Sequence, residues 1–520
     1  MTAQLALSAE QAPQAPAAQE HFDVYEIRVL GNTVLPKADI ERAIYPHLGP
    51  GKSLDDVEAA RTALAESYAR AGFGTVLVDI PEQAVDEGIV RLQVTEGRVD
   101  RVRISGARYF ANGQLRAQID SVSPGHVPDL KQFQRQLGAA AGQSADRTIT
   151  PVLRAGRTPG TVDVELKVKD NLPLHGSLEV NDRYTADTTE TRVDANLSYN
   201  NLFQRFHSLS LQYQTAPENP SETRVIAGTY VIPIEGTRNA FAVYAVDTDS
   251  DVATVGTLSV LGKGQIYGAR FILGLPSGRS LGHTMAFGAD FKDFDENILL
   301  VDAPAQQTPI SYVNWSATWS GGVHADVSFT NFSLGANFGI RGLANDPDEF
   351  AFKRYSGTPN QGDPGYFYLR GNLEHEQPLF AGMRWYVRAA TQLTTHALIS
   401  NEQFSIGGAD SVRGYLEAEA LGDYGVSGSL ELHSASWHPA FLGSDFSIYG
   451  LGFADAGIVA LVAPLPGQIS DTGLYSVGAG MRFIGFGGMQ GSLDWAYPLI
   501  DSTHIERGDS RIHFQVRYGF

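Results

Sequence analysis

Two periodicities divide the chain. Val24-Tyr25-Glu26-Ile27-Arg28-Val29 alternates like a strand and stops at the turn pair Gly31-Asn32. Residues 36–48 have the character of a short helix. From Leu54 onward the apolar positions Leu54, Val57, Ala60, Leu64, Tyr68 and Ala71 recur at helical spacing. Asp55 and Asp56 in the first turn suit the helix dipole, and Gly72 stands just past the last periodic residue. Residues 75–80 and 88–94 are then predicted strands, which gives the order β-α-α-β-β. The order restarts with a strand over 101–104 running into Gly106, helices over 112–120 and 130–140, and strands over 148–153 and 161–168. Two copies about 75 residues apart form an internal repeat, too short for a solenoid, which needs three or more units.

From Leu174 to Phe520 the pattern is nearly pure two-residue alternation, rich in glycine and aromatics. In residues 192–199, Val193, Ala195, Leu197 and Tyr199 share one face. In residues 384–389, Trp385 and Val387 point one way and Arg384 and Arg388 the other. In the last ten residues every even position is apolar and every odd position is polar or glycine. Candidate strands begin near Leu174, Thr191, Phe206, Glu222, Asn239, Gln265, Leu281, Pro309, Ala325, Gly365, Met383, Asp423, Asp445, Thr472, Met489 and Ser510. That count is sixteen, and single-chain bacterial barrels use even numbers of antiparallel strands. Connections alternate short (233–238, 277–280, 377–382, 485–488) and long (291–308, 342–363, 395–422). Short periplasmic turns and long outside loops are the asymmetry of an outer-membrane barrel. The expected fold class is therefore an all-β transmembrane barrel of sixteen antiparallel strands behind two small α/β modules. Its boundaries are a leader over 1–21, modules over 22–98 and 99–171, and a barrel over 172–520.

Composition agrees with this picture. No stretch approaches 18 consecutive apolar residues, so no transmembrane helix is predicted, and the mean hydropathy of −0.15 is what alternating strands produce. A net charge of −19 argues against nucleic acid as a partner. The absence of cysteine removes disulfides, thiolate metal sites and thiol nucleophiles. The first 20 residues, rich in Ala, Gln and Pro and free of Lys and Arg, predict a flexible leader whose export signal is removed or absent.

Candidate chemistry concentrates late in the chain. Val412-Arg413-Gly414-Tyr415 lies in the long connection 395–422, the sixth outside loop, and Phe453-Ala454-Asp455-Ala456-Gly457 lies near the end of the thirteenth strand. Taken alone, a loop arginine is usually solvated. The strand parity points Asp455 into the lumen. Together the two stretches resemble the signature motifs of the outer-membrane assembly and secretion superfamily that includes BamA, TamA and the two-partner secretion transporters. The repeated β-α-α-β-β units resemble POTRA domains, the polypeptide-transport-associated modules that precede such barrels. Two modules and this chain length resemble the two-partner secretion branch, the haemolysin secretion/activation transporters, more than insertases with three or five modules. The resemblance implies that loop 395–422 folds into the barrel and that Arg413 pairs with Asp455. It implies that Gly414 allows close approach and that Tyr415 packs on the wall, with Val412, Phe453 and Gly457 completing the two motifs. It also implies that Phe514, Val516, Tyr518 and Phe520 form the signal read by the barrel-assembly machinery. The family's plug helix has no convincing counterpart in the leader.

The expected function is export of an unfolded partner protein, of adhesin, haemolysin or toxin type, through the barrel to the cell surface. The partner's N-terminal secretion domain would dock on the POTRA modules in the periplasm. The other implied partners are outer-membrane lipids and the assembly machinery, and the transporter is read as a monomer. The alternative is an outer-membrane insertase of the BamA or TamA type. No catalytic, cofactor or metal residues are assigned. Gly278-Arg279-Ser280-Leu281-Gly282 fits a nucleophile elbow but lies in a predicted hairpin turn. Asp247, Asp249 and Asp251 begin like a calcium loop, yet Val252 and Leu258 stand where glycine and glutamate are needed. The five tryptophans, 315, 319, 385, 437 and 495, are read as interfacial girdle residues.

Overall fold

A computed structural model describes residues 21–520 apart from 86, 187, 251, 256–257, 279, 296, 299–305, 308, 355–360 and 444. The leader thus lies outside the described residues but for His21, as do Asp251 and Arg279. The chain divides between Leu172 and Pro173 into two compact units.

The first unit contains both modules. Strand Glu26–Leu30 runs parallel to Ile89–Thr95, which pairs antiparallel with Leu77–Asp79. Helices Lys37–Ile44 and Leu54–Ala71 lie between them in sequence. Ser53 and Asp56 close a capping box on the long helix, and Gly72 ends it in the left-handed region at φ 107°. Val57, Ala60, Leu64 and Tyr68 are buried with Val90, Leu92 and Val94 of the sheet. The two end members of the expected stripe, Leu54 and Ala71, are exposed, because the apolar core spans only the middle of the helix. The strand expected over 75–80 shrinks to Leu77–Asp79, since the Val76 N–H turns back to the Phe73 carbonyl. A small pairing of Phe22–Val24 with Gly49–Lys52 had no strand signal in its Gly-Pro-Gly sequence. Burial beside Glu96 pushes the Tyr68 phenol up to about 12, so it stays neutral and donates to Asn32 Oδ1 at 2.6 Å.

The second module repeats the topology with strand Arg98–Ser105, helices Asn112–Gln118 and Leu130–Ala141, and strands Arg147–Ala155 and Thr161–Asp170. The repeat extends to its chemistry. Gly31 (φ 87°) and Gly106 (φ 90°) each end a first strand, and a Cβ on either would sit 2.3 Å from a sheet carbonyl, Val94 O or Val168 O. Two residues past each carbonyl a buried carboxylate gathers the N–H groups that follow the glycine. Glu96 accepts from Thr33 and Val34, and Asp170 accepts from Arg108, Tyr109 and Phe110. Val127 of the second module is buried in the core of the first, and the Leu130 N–H donates to Gly72 O at 2.8 Å.

The second unit is a closed barrel of sixteen strands, each antiparallel to its neighbours. They are Leu174–Asn181, Arg192–Leu202, His207–Thr215, Arg224–Pro233, Ala240–Thr248, Gly264–Gly274, Leu281–Phe294, Ile310–His324, Phe329–Gly339, Phe367–Pro378, Arg384–Thr394, Tyr424–His433, Ser447–Ala460, Asp471–Gly485, Met489–Pro498 and Arg511–Gly519. Their order and number follow the alternation of the sequence, and the start expected at Ala325 moves to Phe329 because Ala325 and Ser328 form a tight turn. Outward positions such as Leu430 (55 % exposed), Trp495 (48 %) and Ile512 (61 %) make an apolar belt, and the inward face carries Asp290, Asn314, Gln392, Asp494 and His513, all buried. Asp455 is not near the end of its strand. The strand continues through Gly457 to Ala460, paired on both sides, which places Asp455 well inside it. A helix, Pro347–Lys353, interrupts the long loop after strand nine, its Asp346 cap accepting from the Asp348 N–H at 2.8 Å. At the closure, Gln515–Gly519 pairs with Ser177–Asn181, and Phe520 exchanges two backbone hydrogen bonds with Gly176. The Phe520 ring lies over Gly176, where a Cβ would come within 2.5 Å of it. Val516, Tyr518 and Phe520 are exposed on the outer face, with Phe514 half-buried there.

The strained-glycine reading of the modules is testable. Gly106→Ala should destabilise the N-terminal modules by about 1–3 kcal/mol in urea unfolding, whereas Gly113→Ala, with nothing within 4 Å of its Cβ, should be neutral or mildly stabilising.

Candidate functional site

The sixth loop carries a sequence unlike a solvated loop: Phe404, Ile406, Val412, Tyr415 and Leu416 are all apolar or aromatic, and all are buried. Phe404–Ile406 pairs with Ala420–Gly422 as a small hairpin inside the barrel. Gly407 (φ 104°) and Gly408 (φ 97°) open its turn, and the Ser411 hydroxyl bonds both the N–H and the carbonyl of Gly407. The buried side chains pack with Val459 and Leu474 of the wall. Gly457 makes this approach possible, because a Cβ there would lie 3.0 Å from Val412 Cγ2 and 3.3 Å from Ile406.

Arg413 is 1 % exposed. Its Nε donates to Asp455 Oδ2 at 2.7 Å and its Nη2 to Oδ1 at 2.8 Å, a two-pronged pair reinforced by its own backbone N–H on Oδ2 at 3.1 Å. Nη2 also reaches Ser429 Oγ at 2.9 Å and Glu431 Oε1 at 2.8 Å, and Nη1 lies 3.4 Å from Asp494 Oδ2. The guanidinium sits 3.4 Å above the Phe453 ring. Phe453 in turn fits over Gly478, where a Cβ would stand 2.3 Å from the ring. Arg482 holds Asp494 with bonds of 2.6 and 2.8 Å. The cluster thus joins the loop to strands twelve, thirteen, fourteen and fifteen. Two arginines face three carboxylates, and with Arg413 and all three carboxylates buried, these charges depend on one another for stabilisation.

The rest of the motif docks through backbone geometry. Gly414 has φ 93°, a conformation that disfavours any side chain, and its N–H donates to His513 Nε2 at 2.9 Å. The Tyr415 hydroxyl lies 3.0 Å from the carbonyl oxygens of both Tyr475 and Ile500 and donates to one at a time.

Three further anchors fix the loop. Glu402 accepts from Lys292, Tyr312 and Tyr368 of strands seven, eight and ten, the last at 2.7 Å. Asp423 accepts from Arg354 at the end of the fifth-loop helix, from the Leu398 N–H and from the Val462 N–H. Glu419 accepts from Ser502 and the His504 N–H of the eighth loop. The loop is therefore strung across the lumen between opposite walls.

The four loop-motif residues and the three wall residues singled out in the sequence come together here. Glu431, Ser429, Asp494, Arg482 and His513 were not foreseen. Their only sequence signal was inward parity, which selects dozens of positions. Register supplies the rest, since Ser429 stands directly opposite Asp455 and Asp494 opposite His513. Among the described residues no group of His, Asp or Glu could hold a metal ion, and Asp247 and Asp249 both pair with Arg224.

Comparison with known proteins gives the relationship. Residues 160–483 match the model of the haemolysin secretion/activation protein ShlB/FhaC/HecB, and residues 22–97 match the ShlB-type POTRA domain. The outer-membrane transporter CdiB of Dickeya dadantii is 23 % identical over 463 residues, 85 % of this chain and 76 % of that protein. The haem/haemopexin transporter protein HuxB of Haemophilus influenzae is 21 % identical over 94 % of this chain and 85 % of its own. Among solved structures, CdiB from Escherichia coli superposes with a TM-score of 0.63 at 18 % identity, over 99 % of this chain and 93 % of that one. BamA from Haemophilus ducreyi lacking POTRA domains 1–3 shares the fold at 0.59 and 14 % identity, over 96 % of this chain and all of that one. The chain belongs to the haemolysin secretion/activation family, a two-partner secretion transporter with its barrel in the outer membrane and its POTRA domains in the periplasm.

Proposed function

We propose that this transporter takes an unfolded partner protein from the periplasm by its N-terminal secretion domain and passes it through the barrel, and that the docked sixth loop is the element that must yield. The observation that carries this reading is the Arg413 cluster. A loop anchored at Glu402 on one wall and at Arg413 on the other occupies the route a chain would take. Loss of one member of a buried ion pair costs about 3–5 kcal/mol, enough to hold the loop closed at rest yet within reach of the many contacts an incoming chain makes. Recognition falls to the POTRA modules. Each three-stranded sheet is open, ended by strands with a neighbour on one side only, and such edges accept an extended segment as an added strand. The outward Phe514, Val516, Tyr518 and Phe520 are the signal for the assembly machinery, and a barrel closed on itself acts as a monomer in outer-membrane lipid. An insertase role would use the same loop motif, but two periplasmic modules and the family match favour export.

Arg413→Ala should abolish or strongly reduce partner secretion while the barrel still assembles, measured as surface-exposed partner at equal transporter level. Unchanged secretion would refute the role given to the loop. Gly457→Leu, which drives a side chain into Val412 and Ile406, should undock the same loop and make 395–422 cleavable by external protease in whole cells. Deletion of residues 24–170 should leave an inserted barrel that no longer recruits partner, so persistent export would remove the docking role from the modules.

A further inference from the structure

The tip of the sixth loop also reaches the place where the barrel closes on itself. The last strand meets the first over Gln515–Gly519 against Ser177–Asn181, five paired rows where every other neighbouring pair of strands has eight or more. At the outer end of this seam stands His513, buried. Its Nε2 is 2.9 Å from the Gly414 N–H of the loop motif, and its Nδ1 is 2.9 Å from Asp182 Oδ2, just past the first strand. A backbone N–H can only donate, so Nε2 accepts and the ring proton sits on Nδ1, directed at Asp182. A single neutral imidazole therefore takes a hydrogen bond from the loop and gives one to the seam. The other Asp182 oxygen accepts from the Phe514 N–H at 2.8 Å, so the carboxylate itself spans the two strands. The segment after the first strand is held the same way. The Tyr184 carbonyl accepts from the Glu417 N–H of the loop at 3.1 Å, while its hydroxyl meets Arg511 of the last strand. The other charges around the imidazole are engaged: Asp494, opposite in register, holds Arg413 and Arg482, and Glu417 accepts from the Ala409 N–H.

We propose that His513 is a positioning residue that ties the tip of the sixth loop to the closing seam of the barrel, so that undocking the loop and loosening the outer end of that seam are one coupled event. The inference rests on the reading above that the loop leaves the wall during export. It assigns His513 and Asp182 a role distinct from the arginine cluster, which grips strands twelve to fifteen and leaves the seam untouched.

The chain has no cysteine, so Val412→Cys, buried when the loop is docked, reports undocking by its rate of maleimide labelling in outer-membrane vesicles. Val180 and Val516 face each other across the seam, and V180C with V516C, oxidised beforehand, locks it. With His513 present, locking the seam should slow labelling about tenfold, the worth of one or two hydrogen bonds. In His513→Leu the lock should lose most of its effect, leaving only what the Tyr184 contacts carry. His513→Gln, whose amide can accept from Gly414 and donate to Asp182, should restore the slowing. A merely structural role would lower the heat-modifiable, folded fraction in His513→Leu and leave the ratio of locked to unlocked rates unchanged. If His513→Leu fails to assemble, Asp182→Ala removes the seam end of the tie and should uncouple the lock in the same way. Equal slowing with and without the imidazole, or no slowing in either, overturns the proposal. Coupling lost in His513→Leu with export unchanged by Arg413→Ala would instead overturn the role given to loop release and leave the tie standing. Unaltered coupling with export abolished by Arg413→Ala would do the reverse.

Discussion

A membrane offers no hydrogen bonds, so every backbone N–H and carbonyl that crosses it must find its partner within the chain. In this transporter that requirement is met by closing sixteen strands into a ring, and the rest of the design follows from the ring. Alternation sends every second side chain to lipid and every other one to the lumen. The lipid-facing surface is consequently apolar, as at Leu430, Trp495 and Ile512, and buried charged side chains such as Asp290, Asp455 and Asp494 lie within. The closure has one weak place, the short ladder between the last and first strands, reinforced by Phe520 across Gly176 and by Asp182 across the strand ends.

A polar lumen lets the chain bury charge that a soluble core would exclude. Arg413, Arg482, Glu431, Asp455 and Asp494 form one network shared between a loop and four strands. Such a network contributes less to stability than an apolar plug of equal volume could, because its desolvation offsets much of the attraction. What it supplies is registration. A forked guanidinium held by a carboxylate, a hydroxyl and an aromatic face admits one docked position, and it can be undone as a unit. Apolar packing around Val412 and Tyr415 adds area without adding direction. The glycines at 414 and 457 let the two kinds of contact coexist at close range.

The periplasmic modules solve a different problem with a repeated device. Each turns its first strand into a helix through a left-handed glycine lying against a sheet carbonyl, and each gathers the freed N–H groups on a buried carboxylate. Val127 and the Gly72–Leu130 bond join the two modules through a shared core and backbone.

Alternation, glycine and turn spacing were enough to show sixteen strands and two β-α-α-β-β modules, since a strand with one face in lipid must alternate whatever its neighbours do. Parity alone also directed Asp455 inward, although the end of its strand was misplaced because Gly457-Ile458-Val459-Ala460 gains its pairing from strands far away in sequence. The fold explains the apolar loop residues 404, 406, 412, 415 and 416 by bringing the loop inside. Which carboxylates surround Arg413 could not be read along the chain. Glu431 and Asp494 reach it only through the register of strands separated by tens of residues, and His513 only because the ring closes. Local sequence determined which way each side chain points, because that depends on the pleat of a single strand. The tertiary structure decided which of them meet, because closure and shear are properties of the whole ring.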